Sequence, residues 1–335
     1  MATSGVPDIL AHARLSRVVS DVKARAQAAR TEVASGRVGD VTKAANGDIG
    51  GVQLLKKAVD DAKSYRTSLA LAANRATLTQ NVLGVLTSES ARLATGAYAA
   101  LGAGDEATMR TIAKDAKGAL YAIFGALNTT DGGRSLFAGD ATNAVPLGSV
   151  DALLADIEGI IAAAPDAASA QSALDAYFND PAGGFQTSIY GGGANDAPAV
   201  ELAPGIRVGA SVKADAQPIK DVIRGFAVLA NFATAPGGSA AERDALMTGA
   251  AELSLAAEQH VVDMRAVVGV SESRIAATIE RYQSEETVLS NMLAKKTTRD
   301  PFEAASELQL LESQLEAAYL VTSRLARLSI AAYLK

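Results

Sequence analysis

The chain has 335 residues, a net charge of −6 and a pI of about 5.1, with neither cysteine nor tryptophan and only 4% aromatic residues. That composition excludes disulfides and thiolate chemistry, and the acidic balance leaves no sequence-wide basic field for nucleic acid. No apolar run reaches the roughly 18 residues of a membrane span, and about a fifth of the chain is alanine, which favours closely packed helices over a core of large aromatic side chains.

In chain order, the spacing predicts a first helix over about 8–35. Leu15, Val18, Val22, Ala26, Ala29 and Val33 share one face, and Gly36 in "ASGR" supplies the stop. After the loop "VGDVTKAANGDIGG", a long helix is expected over about 51–102. Val52, Leu55, Val59, Ala62, Leu69, Ala73, Ala76 and Leu83 hold a heptad register there, interrupted by Arg66 and Gln80. A third helix, about 105–128, carries Met109, Ile112, Ala116, Ala119 and Ile123 on one face.

Seven of the nine prolines fall between Pro146 and Pro236, which marks an irregular, predominantly acidic middle facing water. Helical pieces are expected there near 149–163 and 167–177, and again over "QPIKDVIRGFAVLANFA". Between them, "FQTSIY" (185–190), "AVEL" (199–202) and "IRVGASV" (206–212) read as short strands separated by "GGGANDAP" and "APG". A very long helix is then expected over about 240–296, marked by Leu246, Ala250, Leu253, Ala257, Val261, Met264, Val268, Ile275, Tyr282, Leu289 and Leu293. "KKTTRDP" breaks it at 295–301, with Thr298 or Asp300 as cap and Pro301 in the first turn of a last helix over 302–334.

That last helix carries a narrow stripe: Ala304, Leu308, Leu311, Leu315, Ala318, Thr322, Leu325 and Ser329, at spacings of three and four. A stripe of this kind needs a helical partner. The first helix is basic (Arg14, Arg17, Lys23, Arg25, Arg30) and the last is acidic at its start (Glu303, Glu307, Glu312, Glu316). An antiparallel pairing sets Arg30 near Glu303 or Glu307 and Arg25 near Glu312. Exposed pairs are worth about 0–1 kcal/mol each, so they set register more than stability.

Catalytic constellations are not found. His12 and His260 lie on different helical arms without local partners. The Asp60–Asp61 and Glu285–Glu286 pairs read as solvated helix faces. "GGGAND" lacks the Lys-Ser/Thr ending of a phosphate loop, and no calcium-loop spacing surrounds Asn195 and Asp196. "KKTTR" reads as a hinge, and Gly269 inside a helix is either tolerated or marks a close helix approach. No catalytic, cofactor-binding or metal-ligating residue is assigned, and no cofactor.

Four stretches resemble the flagellin superfamily, and are especially similar to its hook-associated, hook–filament junction branch. They are the terminal "DPFEAASELQLLESQLEAAYLVTSRLARLSIAAYL", with Ser329, Ile330, Tyr333 and Leu334 at its close; "RTEVASGRV" (30–38); "LNTTDGGRSLFAG" (127–139); and "MRAVVGVSESRI" (264–275), with Val270 where alanine is usual. The resemblance covers about 1–140 and 240–335. It departs at "KAANGDIGG", where a Ser-Asp-Asp-Pro turn is expected, and at "YRTSL", where Arg-Asn is expected after the tyrosine.

What the resemblance implies is a mainly α fold: a long antiparallel helical rod, coiled-coil-like, built from both chain ends, with a small mixed α+β insert in the middle. Three domains are expected: 1–40 with 297–335, a terminal coiled coil whose helices (1–37 and 300–335) are disordered in the monomer; 41–140 with 240–296, a long-helix bundle; and 141–239, an outward-facing variable part. It further implies a structural, non-enzymatic subunit joining hook to filament, without cleaved signal peptide and exported by the flagellar type III apparatus to the extracellular flagellum. The implied partners are copies of itself in a ring or helical layer, a neighbouring hook-associated protein, flagellin and an export chaperone, with no nucleic acid and no membrane. The expected assembly interface is Leu15, Val18, Val22, Ala26, Ala29, Val33, Leu308, Leu311, Leu315, Ala318, Thr322, Leu325, Ser329 and Leu334. Two alternatives stay open: a flagellin that builds the filament itself, and a cytoplasmic coiled-coil scaffold.

Overall fold

The structure, a computed structural model, describes residues 6–44, 47–209 and 211–333, with side chains over the same span except 6–12, 43 and 325–333. The fold is mainly α. In order come α1 (Val6–Ser35), the single turn α2 (Val41–Ala44), α3 (Ile49–Ala103), α4 (Glu106–Leu127), α5 (Val150–Ala163), α6 (Ala167–Asn179), α7 (Gln217–Ala230), α8 (Ala240–Thr297) and α9 (Pro301–Tyr333). Among the described residues the strands form two antiparallel pairs, β1 (Thr130–Asp131) with β2 (Arg134–Ser135) and β3 (Val200–Ala203) with β4 (Ile206–Val208). Two compact units result: residues 1–63 with 283–335, and residues 64–282. Their boundary cuts through α3 and α8.

Helix limits follow local chemistry. Asp105, Ser149 and Asp166 cap α4, α5 and α6 by accepting backbone N–H groups of the first turn. At the α8–α9 break the cap is Asp300, whose carboxylate accepts the Phe302 N–H at 2.8 Å; the Thr298 hydroxyl instead donates back to the Ala294 carbonyl. Gly36 takes a φ of +66° at the end of α1, the left-handed conformation that the stop demands.

The unit of residues 64–282 holds a dense core. α4 turns Met109, Ile112, Ala116, Ala119 and Ile123 inward as its pattern predicts, and α7 is buried on nearly every side, from Ile219 through Leu229. α7 meets α8 closely. A Cβ on Gly225 would stand 2.1 Å from the Ser254 hydroxyl and 3.1 Å from the Ala250 carbonyl oxygen, so the missing side chain is what lets the two helices touch. α3 and α8 run antiparallel, their contacts descending on one as they rise on the other. Tyr65 stacks on Tyr282 with ring centroids 5.2 Å apart, and Thr77 donates to Glu272. Gln80 donates to the Arg265 carbonyl at 2.6 Å, so the polar residue that interrupts the heptad is a cross-helix bridge.

Two expectations for the middle are corrected. "FQTSIY" is not a strand: Phe185–Ile189 form a π-helical turn, because Phe185, Ile189 and Tyr190 all bury, a helical spacing and not an alternating one. The strand expected over 206–212 ends at Val208. The single turn α2 and one hairpin went unforeseen. "TTDGGRS" makes the β1–β2 hairpin, with Gly132 and Gly133 at φ +60° and +78°, as a two-residue primed turn requires. Beyond it Leu136, Phe137 and Ala138 plunge into the core, and the Asn128 amide holds the Leu147 backbone by two 2.9 Å hydrogen bonds.

Candidate functional site: the paired terminal helices

α1 and α9 lie antiparallel within the unit of residues 1–63 and 283–335. Their seam is thin. Ala26, Ala29, Ala304 and Leu311 are buried, and Val22, Leu308 and Leu315 pack against them. Leu15, Ala318 and Thr322 are half-buried. Val18 and Val33, expected on the seam, stand 53% and 40% exposed. Half-buried Val19 and buried Glu32 face inward in their place, so that the inward positions 15, 19, 22, 26, 29 and 32 keep a steady spacing of three and four. The side chains of Leu325 and Ser329, and all of Leu334, lie outside the described residues, as does the His12 side chain.

The antiparallel sense is set where the chain turns back, with Arg37 and Thr298 bridged in antiparallel register, and the ion pairs correct the expected partners. Arg30 pairs with Glu312 at 2.7 Å and Arg25 with Glu307 at 3.6 Å, one further turn along α9 than expected for Arg30 and one fewer for Arg25. A third set was missed. Arg299, in the run read as a hinge, donates from one guanidinium nitrogen to Glu32 and from another to Glu307. Glu32 also accepts the Gly39 N–H at 2.8 Å. Around this cluster the backbone is stitched: Val38 N–H donates to the Thr297 carbonyl and Arg299 N–H to that of Gly36. Lys296 donates to Asp48 at 2.9 Å. The hydrogen bond from Arg299 holds the Glu307 carboxyl below its ordinary range, and Lys296 does the same for Asp48.

α9 also presents apolar side chains away from the seam. Phe302, Leu310, Leu320 and Val321 are 84%, 58%, 60% and 47% exposed. At about 100° per residue, Leu310, Ala317 and Val321 form a second stripe about a third of a turn from the first. Such a helix is apolar on more than one side, which a solvated surface helix is not.

The remaining chemical candidates fall apart in space. His260 is exposed on α8, Asp61 accepts Lys57 at 2.7 Å on the surface of α3, and of the second acidic pair Glu285 is exposed and Glu286 half-buried. "GGGAND" is a packed turn. The Tyr190 hydroxyl donates to the Gly193 carbonyl and Asn195 to Asp140. A Cβ on Gly269 would meet only the Gln80 amide at 3.6 Å, so that glycine is tolerated and not a close approach. Among the described residues no three His, Cys, Asp or Glu side chains gather as a metal site, and no helix is long and apolar enough to cross a membrane.

Residues 255–334 match the family of the bacterial flagellin C-terminal helical region. No curated protein matches the chain significantly. Among solved structures, a Vibrio parahaemolyticus protein assigned as flagellar hook-associated superposes with a TM-score of 0.50 at 12% identity, over 73% of this chain and 95% of that one. FlgL of Bacillus cereus aligns over 76% of this chain and 97% of its own at 16% identity, with a TM-score of 0.37. The C-terminal arm, from Leu255 in α8 through α9, is therefore flagellin-like, on a fold similar to that of the Vibrio protein.

Proposed function

We propose that the chain is a non-enzymatic structural subunit of the bacterial flagellum, assembling through α1 and α9 at the junction between hook and filament. The observation that carries this is α9 itself: it spends one stripe on α1 and leaves a second, around Leu310, Ala317 and Val321, in water. Burying a large aliphatic side chain is worth about 1.5–3 kcal/mol, so neighbours supplying that burial would stabilise an array strongly. The expected interface residues Leu15, Val18, Val22, Ala26, Ala29, Val33, Leu308, Leu311, Leu315, Ala318, Thr322, Leu325, Ser329 and Leu334 are divided in this reading between the internal seam and its neighbours. The flagellin-like region of residues 255–334 supports the family of assembly. "LNTTDGGRSLFAG" and the Tyr333-Leu334 close support the junction over the filament.

In this reading the partners are further copies, an adjoining hook-associated protein, flagellin and an export chaperone. The location is extracellular, reached through the flagellar export channel, and residues 141–239 face outward. Electron microscopy of the purified chain on isolated hook ends tests it. Short caps that do not elongate are the expected result. Long filaments of this chain alone would make it a filament subunit, and no attachment at all would overturn the flagellar reading.

A further inference from the structure

We propose that a groove in the unit of residues 64–282, walled by α3 and the two β-hairpins, binds an extended acidic segment of a different protein. Arg75 and Arg134 take the segment's carboxylate, and the apolar floor takes a neighbouring aliphatic side chain. The groove has a volume of about 440 Å³, within the roughly 300–1,000 Å³ usual for ligand sites. Local structure builds its walls. Ser68, Ala72, Arg75 and Thr79 share one face of α3 at spacings of three and four, so Arg75 stands among small side chains on a wall of the groove. The β1–β2 hairpin contributes Arg134, and the buried side chains of Leu136 and Ile275 form the floor.

Charge carries the inference. Arg75 is half-buried yet makes no ion pair among the described residues, and Arg134 gives Nε and Nη2 only to the neutral Thr142 hydroxyl, each at 3.3 Å. Elsewhere in the same unit such guanidiniums are answered, Arg224 by Asp175 at 2.9 Å and Arg243 by Glu106 at 3.0 Å. Asp131, the one carboxylate lining the groove, pairs with neither arginine. A guanidinium presents its N–H groups as a planar fork that fits a carboxylate, so two unpaired forks beside apolar surface select an acid over a neutral amide. A second copy has little to offer them. Outside the helices its carboxylates are engaged already, as Asp48 is by Lys296, Asp140 by Asn195, Asp180 by the Ala182 N–H and Asp215 by Lys213. Among the described residues the exceptions are Asp131, which lines this same groove, and Asp196, which adjoins it.

The test is fluorescence anisotropy on the full-length chain with a labelled, capped peptide that alternates aspartate and leucine, against the same peptide with asparagine for aspartate. The acidic peptide should bind at least ~10-fold more tightly, and the preference should vanish in the double variant Arg75→Gln with Arg134→Gln. Both side chains reach solvent, so that variant should keep the denaturation midpoint of the unaltered chain. Arg110→Gln, on α4 and outside the groove, should leave the preference intact. Absent or equal binding of the two peptides, a preference that survives the double variant, or one lost as fully in Arg110→Gln would each overturn the proposal. So would self-association in sedimentation that the double variant removes, since the occupant would then be a second copy. None of these readouts involves hooks, so their failure leaves the proposed function standing.

Discussion

The unit of residues 64–282 and the terminal helix pair are built from similar alanine-rich helices, yet they are held in different ways. The first buries Phe137, Phe185, Phe226, a dozen leucines and seven isoleucines in one continuous core. The second closes on three alanines and a leucine, and is tied by ion pairs between its helices. A core of large side chains is complete in itself. A seam of small ones brings helices close, gains little area, and leaves capacity for other contacts.

Substitutions separate the two regions. The largest effect should come from Phe226→Ala, which empties a fully buried site on α7. A loss of about 3–5 kcal/mol is expected in chemical denaturation, with the whole 64–282 unit affected. Leu311→Ala, equally buried but in the thin seam, should cost about 2 kcal/mol, with exchange protection lost only along α1 and α9. Gly269→Ala should act in the opposite direction, raising stability by about 0.5–1 kcal/mol, since helix propensity improves and the new methyl meets only a flexible amide.

Acid gives the smallest effect. The Arg299 hydrogen bond lowers the folded-state pKa of Glu307. Its stabilisation is therefore full above the unfolded value of about 4.3 and lost as pH falls through the lowered folded value. Exchange along α1 and α9 should accelerate as pH drops below about 4.3, after correction for intrinsic rates, before the large apolar core of 64–282 gives way. Protection in both regions failing together would remove the charge-held character assigned to the pair.

Much of this was legible in the sequence because long helices announce themselves repeatedly. α3, α8 and α9 each end within three residues of the limits that their apolar spacing and the Gly and Pro signals predict. Short elements carry too few residues to average over. "FQTSIY" offers polar residues between Phe185 and Ile189, which fits alternation on paper; Phe185 sits 5.2 Å from the Phe178 ring, and that tertiary contact chooses the π turn. The Glu32–Arg299–Glu307 cluster was hidden for another reason. Glu32 is an acid on an apolar face, and Arg299 lies in a basic run, so each alone reads as surface. Only the chain reversal at 298–300 brings residues 267 positions apart into contact.

The central claim is that the second stripe of α9 is an assembly surface. The most direct measurement is hook-end attachment by the double variant Leu310→Asp and Val321→Asp, beside its denaturation midpoint in dilute solution. Both side chains are exposed within the chain, so folding should be unchanged while attachment is lost. Normal attachment by a normally folded variant would contradict the account.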